Sequence, residues 1–79
     1  MATKEQLGEL ITAQPFVRFL IRMTGGRVFT VRHPENASCD AKGRGLWVHD
    51  EKGTHQAEML LVEVMEPVTS SPPGEGNGS

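Results

Sequence analysis

Leu7, Leu10 and Ile11 fall at i, i+3 and i+4 and make one apolar stripe near the start of the chain. Thr3-Lys4-Glu5-Gln6 just ahead of the stripe fits a capping box, in which the threonine hydroxyl takes up one of the first free backbone donors. Gly8 weakens the element, and Pro15 biases Gln14 out of helical space. The pattern predicts one short amphipathic helix over roughly residues 4 to 13.

From Phe16 the period changes to two. Val17, Phe19, Ile21 and Met23 alternate with Arg18, Leu20 and Arg22, which predicts a strand with Leu20 among the arginines of its outer face. Thr24-Gly25-Gly26 supplies the positive φ of a tight hairpin, and Arg27 to Arg32 returns as a second strand with Phe29 and Val31 on one side. His33-Pro34-Glu35-Asn36 stops it. Ala37 to Lys42 reads as a short third strand and Leu46 to His49 as a fourth. Asp50 to Gly53 turns the chain into its longest ambiguous stretch, Thr54 to Glu66. Val62-Glu63-Val64 favours strand for Leu61 to Met65, whereas Ala57 to Leu60 suits helix or strand. The expected fold is mainly β: a helix capping a small antiparallel five-stranded barrel of the SH3-like or Sm-like kind. Its expected core is Leu7, Leu10, Ile11, Phe19, Ile21, Met23, Phe29, Val31, Val48 and Val62.

Seventy-nine residues allow one small domain. Pro67 to Ser79 is rich in proline, glycine and serine and holds one large apolar residue, Val68, so residues 67–79 are expected to be a disordered tail and 1–66 the folded domain. A domain of that size buries only about 60% of its unfolded surface, which makes a homo-oligomer or a protein partner a natural source of further stability. The longest uncharged apolar run is Met59 to Val62, so no membrane span is expected, and Met1 to Gln6 lacks the apolar stretch of a signal peptide. A single cysteine, Cys39, has no partner in the chain and favours a reducing, cytoplasmic setting.

Charge is unevenly spread. Gln14 to Gly45 carries Arg18, Arg22, Arg27, Arg32, Lys42 and Arg44 against Glu35 and Asp40, while the rest of the chain is acidic and the whole has a net charge of −2. Arg18, Arg22, Arg27 and Arg32 on one sheet face could hold phosphates, which makes nucleic acid an alternative partner; the plainer reading is a solvated face that keeps the sheet from aggregating. The absence of tyrosine leaves few stacking platforms for bases. Trp47, between Leu46 and Val48, points outward if those two point inward, and would then join Val28 and Leu20 in an interface. With Trp47 inward, Leu46 and Val48 would instead pack against the helix. His33, Cys39, His49 and His55 match no compact zinc spacing, and neither a nucleophile with an oriented base nor a phosphate loop is legible. No enzyme activity, cofactor or metal is expected.

Gln14-Pro15-Phe16-Val17-Arg18-Phe19-Leu20-Ile21, then Thr24-Gly25-Gly26-Arg27, Val31-Arg32-His33-Pro34-Glu35 and Met65-Glu66-Pro67, resemble a family of small uncharacterised bacterial proteins. Its members read P-F-x-P-F-x-I-x-L-x-D-G-R, then V-x-H-P-E, and close on I-E-P. Arg18 replaces the family's usual proline and Gly25 its usual aspartate. The resemblance implies a shared fold and carries no activity. A looser likeness to Sm-like proteins rests on a helix followed by bent strands, and the RNA-binding motifs of that class are not legible. The expectation is a non-enzymatic protein-interaction or self-assembling module.

Overall fold

The computed structural model describes residues 2–68. Helix α1 (Lys4–Thr12) begins where the capping pattern places it, with the Thr3 hydroxyl accepting from the Gln6 N–H at 3.2 Å. Leu7 is fully buried, and Leu10 and Ile11 pack beside it on the core.

Six strands follow: β1 (Phe19–Met23), β2 (Val28–Val31), β3 (Ala37–Cys39), β4 (Gly45–Asp50), β5 (Gly53–Glu58) and β6 (Val62–Pro67). They form two three-stranded antiparallel sheets, ordered β2-β1-β6 and β3-β4-β5. The expected five-stranded barrel is therefore replaced by two sheets with no closed barrel among the described residues. The physical reason lies at Met59–Leu61, a single 3-10 turn that lifts the chain from the second sheet and returns it to the free side of β1. Met59 is buried in that turn, whereas Leu60 and Leu61 are exposed.

Both sheets bury one face in a common core: Phe19, Ile21, Met23, Phe29, Val31, Val62 and Met65 from the first, Ala37, Leu46 and Val48 from the second. The expected core holds for Leu7 and for every strand residue named in it, with Leu10 and Ile11 only partly buried. Ala2, Ala37, Leu46, Met59 and Met65 were not foreseen. Val17, expected on the inner face, precedes β1 and is exposed. β6 runs through Pro67, one residue beyond the expected domain boundary, and the Val68 N–H still donates to the Arg18 carbonyl; the rest of the expected tail lies outside the described residues.

The turn between β3 and β4 is held by Asp40. Its carboxylate accepts from the Arg44 N–H at 2.8 Å and the Gly45 N–H at 3.2 Å. These bonds, Arg44's above all, hold the Asp40 carboxyl below the ordinary carboxylate range. Gly43 in the same turn has φ +74°, and the Lys4 side chain lies against it, its ammonium donating to the Ala41 carbonyl. Because the folded chain lowers the Asp40 pKa, the contribution of this carboxylate is complete above the unfolded value of about 3.9 and is lost as pH falls through the folded value. Stability therefore rises with pH through the acid range. The drop in urea midpoint from about pH 6 to about pH 3 is expected to be smaller in Asp40→Asn than in the parent chain. An identical drop in both would remove Asp40 as a source of acid sensitivity.

Candidate functional site

Alternation along β1 turns Leu20 and Arg22 to the outer face of the first sheet. The strand register then builds this face in rows. Val28 and Val64 flank Arg22, and Thr30 and Glu66 flank Leu20. Arg18 and Val68 continue the pattern one step on, through the bond from the Val68 N–H to the Arg18 carbonyl. Val28 is 46% exposed and Val64 38%, with Leu20 half-buried between the rows.

Trp47 faces outward, as one of the two sequence readings has it, because Leu46 and Val48 are both buried. It does not join Val28 and Leu20. Its cross-strand neighbours are Ser38 and Gln56 in the second sheet, and its indole lies over Gly45, where a Cβ would come within 2.9 Å of the ring. Two sheets that share one core point their outer faces apart, so the expected three-residue patch is divided. The first sheet instead supplies Val64, which sequence alternation could not assign because β6 is irregular.

Three of the four arginines have side-chain partners within the described residues. Arg22 bonds Glu66 through Nε, and Arg32 reaches Glu51 at 3.3 Å. Arg27 lies over the Phe29 ring, 4.8 Å from its centroid, and so leans toward the inner side of the sheet. Arg18 is exposed. The expected row of four guanidinium groups is thus reduced, with two held by carboxylates and one by an aromatic ring.

The histidines serve the β4–β5 hairpin. His49 Nδ1 shares a hydrogen bond with Thr54 Oγ1 at 2.9 Å, while His55 Nε2 lies 3.1 Å from both Asp50 oxygens and its ring stacks near Phe29 at 5.4 Å. His49 pairs with Thr54 and His55 with Val48, so the two imidazoles occupy opposite faces of the hairpin. Partial burial pulls the Asp50 pKa upward, but the Lys52 N–H and His55 outweigh it and the carboxyl sits below its ordinary range. Burial, with Asp40 nearby, pushes the Cys39 thiol up, away from the thiolate form a nucleophile needs. Among the described residues, no three His, Cys, Asp or Glu side chains gather as a metal-binding group, and no helix is long and apolar enough to cross a membrane.

Among the described residues, open grooves lie along the side where β2 and β5 end their sheets. One, of about 450 Å³, runs beside β2 and is walled by the β4–β5 tip. Another is bordered by the β1–β2 turn, the end of β5 and Leu61. No family model, curated protein or solved structure matches this chain.

Proposed function

We propose that this domain is a non-catalytic protein-interaction module that uses the outer face of β2-β1-β6. The observation that carries the reading is the exposure of Val28 and Val64 on either side of Arg22, beside Leu20, in one continuous sheet face. Apolar side chains rimmed by charge are what a protein interface presents before its partner arrives. Arg18, Arg22 and Arg32 outnumber Glu66 on this face, so a second copy set face to face would meet like charge, and a partner with acidic residues around an apolar centre fits better. The helix-first order with short antiparallel strands supports placing the domain near the SH3-like and Sm-like class, here with its ribbon open. No aromatic ring on which a base could stack stands among the described side chains of this face, which speaks for protein over RNA as partner.

A photo-crosslinking residue placed at Val28 in living cells tests the reading. A discrete protein adduct is expected from Val28, weakened by Val64→Glu, with no such adduct from Ser38 on the other sheet. RNase-sensitive adducts, or equal adducts from Val28 and Ser38, would overturn it.

A further inference from the structure

Two three-stranded sheets leave four edges, and the chain protects two of them. β6 turns Met65 and Pro67 toward its free side, because the residues opposite Leu20 and Arg22 are those bonded to β1; Pro67 has no N–H to offer there, and a bulge interrupts the same strand at Glu63. β3 is three residues long, and α1 lies over its end through Lys4. Among the described residues, β2 and β5 have no such cover.

The free groups of β2 follow from the ladder. The Met23 N–H bonds the Arg27 carbonyl, which makes Met23 and Arg27 a hydrogen-bonded pair. Alternation then pairs Ile21 with Phe29 and Phe19 with Val31 in the same way. Val28 and Thr30 are left with their N–H and C=O groups directed away from β1, into the groove walled by Glu51 and Lys52. The segment from Arg27 to His33 carries two arginines and no carboxylate. The carboxylates on the far wall are already engaged, Asp50 by His55 and the Lys52 N–H, Glu51 by Arg32. β5 differs: its outward backbone belongs to Thr54, Gln56 and Glu58, by the same alternation from the Met59 N–H to Arg44 carbonyl bond, and it ends on an acid.

We propose that the open edge of β2 receives an extended acidic peptide segment of a partner protein as an added strand, bonded to the backbone of Val28 and Thr30 and flanked by Arg27 and Lys52. The proposal deepens the interaction reading above and rests on it. Main-chain bonds would supply the affinity, and the cations at both ends would select the charge.

The test uses the full chain, isotope-labelled, titrated with a short synthetic peptide of alternating glutamate and valine. Saturable shifts centred on the Val28 and Thr30 amides, with slowed hydrogen exchange at both, are expected. The same peptide N-methylated at alternate residues should bind about tenfold more weakly or worse, and so should a lysine-valine peptide. Equal binding of the N-methylated peptide would reduce the contact to charge alone and overturn the added strand. Equal binding of the lysine peptide would overturn the charge selection, shifts centred on β5 would overturn the placement, and amide protection without peptide would mean pairing between copies instead. Ser38→Ala in the second sheet should leave peptide binding unchanged. A failed titration alongside a Val28 crosslink in cells would therefore sink the edge proposal while sparing the interaction reading.

Discussion

Phe19→Ala is expected to lower unfolding free energy by about 3–5 kcal/mol, a large part of the stability a domain this small can have. Phe19 has 0% exposure and begins the central strand of the first sheet, opposite Val31 on one side and Pro67 on the other. Phe16 meets its ring edge-on at 6.2 Å between centroids. Truncation would leave a cavity where the two sheets and the aromatic pair converge, and β1 has partners on both sides and cannot shift to fill it. Val17→Ala, two residues earlier, should stay within about 0.5 kcal/mol because Val17 is exposed ahead of the strand. Urea unfolding followed by Trp47 fluorescence measures both. A Phe19→Ala loss no larger than that of Val17→Ala would contradict the shared core.

What could be read from residue order alone was the local part of the fold. Thr3 marks the helix start, the glycine pair marks the first hairpin with Gly26 at φ +93°, and alternation about Trp47 leaves it outward once Leu46 and Val48 are buried. Alternation says in or out within one strand; it does not say which sheet a strand joins. Trp47 and Leu20 are both outward, yet they belong to different sheets, and the patch expected of them does not form. The partners of the arginines were illegible for a related reason. Glu66 and Glu51 lie far from Arg22 and Arg32 in sequence, and only strand pairing and the hairpin tip bring them together. The divided edges, two blunted and two open, could not be read at all before the ladder was known, since the same residue is harmless or exposed according to which side carries its partner.

Met65→Ala is expected to cost about 2–5 kcal/mol, whereas Val64→Ala and Leu61→Ala should each cost far less, and the contrast tests the most ambiguous segment of the chain. Val62 and Met65 are both buried, three residues apart, a spacing that suits a helix face and violates strand alternation. The register resolves the conflict. Met65 lies opposite Ile21 and Val64 opposite Arg22, but Val62 lies opposite Met23, so Glu63 is an extra residue with no partner of its own. A bulge of this kind resets the alternation by one and lets Val62 and Met65 face the same core from an extended backbone. In a helix from Thr54 to Glu66, Leu61 and Met65 would share a face at i and i+4, and truncating either would be costly. In the bulged strand Leu61 is 44% exposed and Met65 only 3%. Urea midpoints of the three alanine variants separate the two structures: a severe Leu61→Ala loss would restore the helix and remove the β6 partner of β1, and with it Val64 from the outer face on which the interaction reading depends.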